Sequence, residues 1–191
     1  MTAFVALLRA VNVGGTGKLP MSDLKAICEA CGFTNVRTYI ASGNAVFESD
    51  ATEAAVKAAL ERRLADHAGK AAHVFVRTAA QMAAVLAANP FARAPGNRVT
   101  AIFLDAPPPP DALDRAVGRT DEQLGLGLRE IYVWYGQGMG RNRRNRPEKP
   151  GHDIFTPLMS RQISASISCP GFPVFPRFHP IRRRKETTIV S

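Results

Sequence analysis

The chain has 191 residues, of which 46% are hydrophobic and 21% charged, a globular composition that can bury a core without disulfides or metals. No run of about 18 apolar residues is present, which excludes a membrane-spanning helix, and three cysteines without a signal-peptide pattern predict a cytoplasmic location. The formal net charge is +9, but residues 1–140 contribute only +1 and residues 141–191 contribute +8. Residues 1–140, called the body below, therefore lack the excess positive charge of a nucleic-acid-binding surface.

Residues 1–77 alternate between strand-like and helix-like patterns. An apolar run predicts a strand covered on both faces, and Pro20 marks the start of a helix that ends at Gly32. A second helix is predicted over residues 53–67, capped by Asp50 and with His67 on its apolar face. The predicted strands are residues 4–11, 36–41, 45–48 and 73–77. The order β-α-β-β-α-β is that of a ferredoxin-like unit, a two-layer α/β sandwich.

Residues 78–140 predict a second, incomplete α/β unit. Thr78 and Gln81 form a capping-box pattern for a helix that ends before Asn89-Pro90. Strands are predicted over residues 99–104 and 130–135, joined through four prolines and a short helix capped by Asp111. The fold class is therefore α+β, with two ferredoxin-like units of which the second is truncated.

Residues 141–191 show no useful apolar periodicity and contain seven of the 14 prolines. They predict an irregular basic tail with few contacts to the body. Its arginine clusters, RNRRNR and RRRK, are dense enough to attract polyanions, which makes nucleic acid a possible partner through the tail alone. Without a closing helix and strand, the second unit is expected to expose one sheet edge.

The sequence NVGGTGK, residues 12–18, is a candidate anion-binding loop. A glycine turn before a helix directs backbone N–H groups at an anion, and Lys18 adds a full charge. The phosphate-loop pattern G-x-x-x-x-G-K-[ST] fails because Asn12 occupies its first position and Leu19 its last. A nucleoside triphosphatase is thus excluded, while Gly14 and Gly15 either bind an anion or, with Gly17, only permit a tight crossover.

Two further features lie close to this loop in the predicted fold. Arg9 interrupts the first apolar run and needs a partner, either a bound carboxylate or phosphate or an acid on a neighbouring strand. Ser42, Gly43 and Asn44 form the predicted hairpin turn. With the loop, these residues form the candidate ligand site: Arg9, Asn12, Gly14, Gly15, Lys18, Ser42, Gly43 and Asn44.

No metal, cofactor or catalytic set is predicted. Cys28 and Cys31 form a C-x-x-C at the end of a helix, where the dipole does not favour a thiolate, so core packing explains them better than redox or zinc chemistry. The four histidines lack metal-ligand spacing: His67, His73, His152 and His179.

Several segments closely resemble the bacterial domain of unknown function 1697 family over residues 1 to about 141. They are LLRAVNVGGTGKLPMSDLKAICEACGF, VRTYIASGNAVF, NPF and YVWYGQGMGR. The resemblance implies a two-part α+β protein with ferredoxin-like halves and implies no activity. The family's recurrent positions correspond to Arg9, Asn12, Val13, Gly14, Gly15, Lys18, Met21, Gly32, Tyr39, Ser42, Gly43, Asn44, Asn89, Pro90, Phe91, Gly138 and Arg141.

The chain departs from the family pattern after Arg141. The family continues with Ser-Lys-Leu, a helix and a closing strand, whereas this chain continues with Asn142-Arg143-Arg144. A shifted reading frame near residue 141 or an acquired basic tail explains the change. Three functions stay open: binding of a small anion or nucleotide, with or without catalysis; a nucleic-acid-binding module; and a protein–protein adaptor.

Overall fold

A computed structural model describes residues 1–9, 19–39, 43–116 and 121–136, together with the backbone of residues 165–168. The helices are α1 (Met21–Ala30), α2 (Glu53–Ala68) and α3 (Ala79–Ala87), with a 3₁₀ turn at Gly96–Arg98. The strands are β1 (Thr2–Leu8), β2 (Thr34–Tyr39), β3 (Asn44–Ser49), β4 (Val74–Thr78), β5 (Val99–Phe103), β6 (Glu122–Leu126), β7 (Glu130–Tyr135) and β8 (Ala165–Ser168). Within these ranges, no helix has the length and apolarity needed to cross a membrane.

The strands form two antiparallel four-stranded sheets, so the fold is mixed α+β. The first sheet has the order β2-β3-β1-β4 and the second the order β6-β7-β5-β8. The predicted order β-α-β-β-α-β over the first six elements is the observed one. β1 is a central strand of its sheet, paired with β3 and β4, as its continuous apolar run predicts.

One face of the first sheet packs against α1 and α2. Alternate β1 residues, from Phe4 to Leu8, point to this side because successive side chains of a strand face opposite ways. The helices present apolar residues at helical spacing, including Leu24 and Ile27 of α1 and Leu60 of α2. The resulting core positions both helices over the central strands.

The opposite face of the first sheet packs against α3 and the second sheet. Val5 and Leu7 of β1 and Phe75 of β4 contribute to this second core. They are joined there by Met82 and Val85 of α3 and by Ala101, Phe103 and Tyr132 of the second sheet. Both faces of β1 are therefore covered, which explains why its sequence does not alternate between apolar and polar residues.

Several local predictions are confirmed, and one helix cap is wrong. Gly32 follows α1 with φ +80°, and Thr78 and Gln81 form the reciprocal capping box of α3. The predicted cap at Asp50 is wrong. Thr52 caps α2 by accepting a hydrogen bond from the Ala55 N–H, because it directly precedes the helix.

Two further predictions need correction, and one strand was missed. His67 is exposed rather than part of the apolar face of α2, and lies 3.7 Å from Asp23. Residues 110–115 form turns instead of a helix, with bonds such as Asp114 N–H to Asp111 O that span three residues. The strand β6 was not predicted, since its sequence EQLGL contains a glycine and no β-branched residue.

The predicted bare edge of the second sheet is also incorrect. β8 pairs antiparallel with β5, from Thr100 opposite Ser168 to Phe103 opposite Ala165, and so covers that edge. The physical reason is that four residues of the segment predicted to be irregular, ASIS, suffice to satisfy the outer N–H and C=O groups of β5. The rest of the predicted tail lies outside the described residues.

Candidate functional site

Three of the predicted ligand residues fall within the described residues and meet at one end of the first sheet. They are Arg9 after β1, Gly43 in the turn before β3, and Asn44 at the start of β3. The remaining predicted ligand residues lie outside the described residues: Asn12, Gly14, Gly15, Lys18 and Ser42.

Backbone hydrogen bonds fix the position where the chain leaves β1. The Leu8 N–H donates to Gly43 O at 3.1 Å, and the Arg9 N–H donates to His73 O at 3.0 Å. The antiparallel register pairs Leu8 with Val74, so Arg9 is the next residue along, opposite His73. The Arg9 side chain is exposed, and it forms no ion pair within the described part of the chain. The predicted acid on a neighbouring strand is therefore not found there.

Gly43 and Asn44 have different roles in the hairpin turn. Gly43 has φ +84°, a conformation that glycine adopts without strain. Its carbonyl accepts the Leu8 N–H of β1, which ties the turn to that strand. Asn44 is buried and pairs with Leu7 in the register of β1 and β3. Asn44 is therefore a strand residue beside the turn, and Gly43 presents its backbone at the end of β1.

A cluster of ionisable side chains surrounds His73, whose carbonyl accepts the Arg9 N–H, and sequence reasoning missed it. Lys57 and Glu61 project from α2, His73 precedes β4, and Asp105 follows β5. Asp105 accepts a hydrogen bond from Lys57 Nζ at 2.5 Å, and its other carboxylate oxygen lies 2.8 Å from His73 Nε2. Glu61 lies 3.3 Å from His73 Nδ1 and also accepts the Val74 N–H at 3.1 Å. We call these four residues the His73 cluster.

The His73 cluster links the two sheets. His73 has a carboxylate at each ring nitrogen, Glu61 at Nδ1 and Asp105 at Nε2. Burial raises the pKa of Asp105, but the hydrogen bond and charge of Lys57, with His73, outweigh it and hold that pKa below its usual range. Within the described ranges, no group of His, Cys, Asp and Glu has the arrangement of a metal site.

A second group of polar contacts between the sheets is centred on Arg77 of β4. The buried guanidinium donates to the carbonyls of Val76, Leu104 and Arg129 and lies 5.5 Å from the centre of the Phe103 ring. Burial, followed by the charge of Arg129, lowers the pKa of Arg77 to about 10, so it stays charged at neutral pH. All three acceptors are backbone oxygens, so Arg77 acts as a structural bridge.

Glu53 of α2 belongs to the same group of polar contacts. It accepts hydrogen bonds from Arg129 Nη2 at 2.7 Å and from Gln81 Nε2 at 3.0 Å. Burial raises the pKa of Glu53, but these bonds and the charges of Arg129 and Arg77 lower it by more. Two residues of α2 therefore form ion pairs with residues that flank strands of the second sheet: Glu53 with Arg129, and Lys57 with Asp105.

The C-x-x-C pair packs into and beside the first core. Cys28 is fully buried in the core beneath α1, and burial raises the pKa of its thiol to about 12. Burial also raises the pKa of Cys31, and both thiols are free. The prediction that these residues serve core packing is confirmed for Cys28, while Cys31 packs at the edge of the core.

Comparison with known proteins agrees with this fold and assigns no activity. None of the curated proteins matches the chain. Among solved structures, the chain is similar to the conserved bacterial protein SP0830 from Streptococcus pneumoniae, with a TM-score of 0.56 and 25% identity. That similarity covers 72% of this chain and 78% of the other. The model of the family described as "Protein of unknown function (DUF1697)" matches residues 1–132, and the chain belongs to that family.

Proposed function

We propose that the protein binds a small anion, such as a phosphate or carboxylate group, at the end of the first sheet. What carries the proposal is Arg9, an exposed cation held at the end of a buried strand with no acidic partner in the described part of the chain. An unpaired guanidinium binds planar or tetrahedral oxyanions through two parallel hydrogen bonds.

The surroundings of Arg9 support the same proposal. The Arg9 N–H donates to His73 O and the preceding Leu8 N–H donates to Gly43 O, so the backbone from which the guanidinium projects is held in place. In the sequence, the glycine-rich segment NVGGTGK lies between Arg9 and α1. We propose that its backbone N–H groups and Lys18 complete the site.

The test is the thermal stability of the full chain in sodium phosphate or sulfate against sodium chloride of matched ionic strength. A ligand at ten times its Kd stabilises the folded state by about 1.4 kcal/mol, which for this chain length is a rise in Tm of roughly 3–6 °C. Arg9→Gln and Lys18→Ala should each remove most of that rise.

Arg115→Gln is the matched control for the loss of one positive charge. Arg115 is exposed in the turns that pack on the outer face of the second sheet, and among the described residues it forms an ion pair with Asp111 alone, at 3.7 Å. It should respond to phosphate as the unmodified chain does. An equal response of all four proteins, or none, would refute the proposed site.

A nucleic-acid-binding sheet is less well supported. Ferredoxin-like modules of that kind stack bases on an open sheet face, whereas the central strands of the first sheet carry Val5, Leu7 and Phe75 against the second core. The basic residues beyond 140 are the remaining candidates for polyanion contact.

We also propose finer assignments of fold and location. Residues 1–77 form a ferredoxin-like unit, supported by the order β-α-β-β-α-β and the antiparallel sheet order β2-β3-β1-β4. Residues 78–140 form the second unit, followed by the basic segment 141–191. A cytoplasmic location is supported by two unpaired cysteines in the described residues.

A further inference from the structure

We propose that a second ligand site, distinct from the Arg9 site, binds a planar aromatic anion in a cleft of the second sheet. The cleft has a volume of about 450 Å³, within the range of small-molecule sites. It is lined by Pro90, Phe91, Ala92, Arg93, Ala94, Gln123 and Trp134, and we call it the NPF cleft after residues 89–91.

The NPF sequence builds a preformed wall of this cleft. The Asn89 side chain accepts the Phe91 N–H at 2.9 Å, and the Ala94 N–H donates to Phe91 O at 2.9 Å, so the segment is a fixed turn. Pro90 packs directly on Gly125 of β6, where a Cβ atom would lie only 2.7 Å from the Pro90 ring. A wall held in this way loses little entropy when a ligand binds.

Two aromatic side chains supply the apolar surface. The rings of Phe91 and Trp134 are 6.2 Å apart between centres and tilted by 31°, and both are partly exposed. Partly exposed aromatic rings of this kind can stack on a planar ring. The Trp134 indole nitrogen is enclosed and, within the described part of the chain, has no hydrogen-bond acceptor.

The charges of the residues that line the cleft favour an anionic ligand. Arg93 is exposed and forms no ion pair among the described residues, and none of the described side chains that line the cleft is acidic. Gln123 adds an amide on the opposite strand. Aromatic stacking beside an unpaired guanidinium matches a ring that carries a carboxylate or phosphate.

Trp134 is the sole tryptophan of the chain, so its fluorescence reports on the cleft directly. The full chain is titrated with benzoate and with adenosine monophosphate, which separate an aromatic carboxylate from a nucleobase phosphate. Benzamide, acetate and inorganic phosphate are the matched probes that lack either the charge or the ring. A saturable change with at least one aromatic anion, and a weaker one with the matched probes, is expected.

Variants assign the signal to the cleft. Arg93→Gln should weaken binding of the aromatic anion roughly tenfold, the effect of losing one charge-assisted hydrogen bond, and should leave the urea midpoint unchanged. Arg115→Gln and Arg9→Gln should titrate like the unmodified chain. Because Arg9→Gln abolishes only the first proposed site, the two proposals fail independently.

Four results would overturn the proposal. They are the absence of any saturable change, an equal response to benzamide, an equal response to acetate or inorganic phosphate, and a titration that depends on Arg9 but not on Arg93.

Discussion

Gly125 shows how one position constrains the wall of the NPF cleft. Its strand, β6, carries no strong β-forming residue, and the glycine is needed because Pro90 of the NPF turn lies against it. Arg77 is a comparable case, since its three backbone acceptors come from two sheets that no local pattern connects. Both residues matter through contacts made across long stretches of sequence.

Substitution of Gly125 by Ala should destabilise the protein by about 1–3 kcal/mol, the usual effect of overpacking, because the rigid proline ring cannot move aside as a flexible side chain does. Urea unfolding measures this. Gly136→Ala is the control, since its Cβ would lie 3.1 Å from the Asp121 carboxylate, a less severe approach than 2.7 Å to the Pro90 ring. A Gly125→Ala midpoint equal to that of the control would contradict the steric explanation.

At the scale of the elements, the sequence predicted what local patterns can encode. β1, α1, α2 and α3 follow from apolar runs, helical spacing and capping residues, and their bounds agree with the structure to within a few residues. The His73 cluster was not predictable in this way, because Lys57 and Asp105 are 48 residues apart and meet only when the sheets pack. The one local signal was the spacing of Lys57 and Glu61 by one helical turn.

The links from α2 to the second sheet should make stability depend on pH. The pKa values of Asp105 and Glu53 are lowered in the folded state, so their contribution is complete above the ordinary values of 3.8 and 4.5. That contribution is lost as pH falls through the lowered folded values. Because both side chains are partly exposed, each pair should contribute no more than about 1 kcal/mol.

The measurement is the urea midpoint of Asp105→Asn and Glu53→Gln between pH 7 and pH 3. Both variants should be less stable than the unmodified chain at pH 7, and the difference should narrow below about pH 4.5, near the ordinary carboxyl values. Asp66→Asn is the control, since Asp66 is exposed and forms no ion pair in the described ranges. A gap that stays constant with pH would rule out these pairs as the cause.

At the scale of the whole molecule, the second sheet closes with a strand from the basic C-terminal segment. The family match ends at residue 132, yet β8 supplies the outer partner of β5. Sequence reasoning did not predict this pairing because ASIS is too short and too polar for a periodic signal. A segment that departs from the family pattern in sequence can still fill the edge, since strand pairing depends on backbone groups.

The pairing of β8 with β5 should therefore depend on its backbone rather than on its side chains. The Leu104 N–H donates to Arg129 O on the β7 side, so by alternation the hydrogen bonds of Ala101 and Phe103 face β8. Ala101 is opposite Ile167, and Ile167→Pro would remove the N–H that donates to it. We expect a loss of about 3 kcal/mol or less and, because an edge is exposed, more association at high protein concentration.

Ile167→Val is the matched control, because it keeps the backbone N–H and nearly the same side chain. Urea unfolding and sedimentation over a range of concentrations compare the two variants. The proline variant should unfold at lower urea and sediment as larger species as its concentration rises, while the valine variant should behave like the unmodified chain. If the proline variant matched the valine variant in both measurements, β8 would contribute nothing to the closure of the second sheet, and the edge of β5 would be protected in another way.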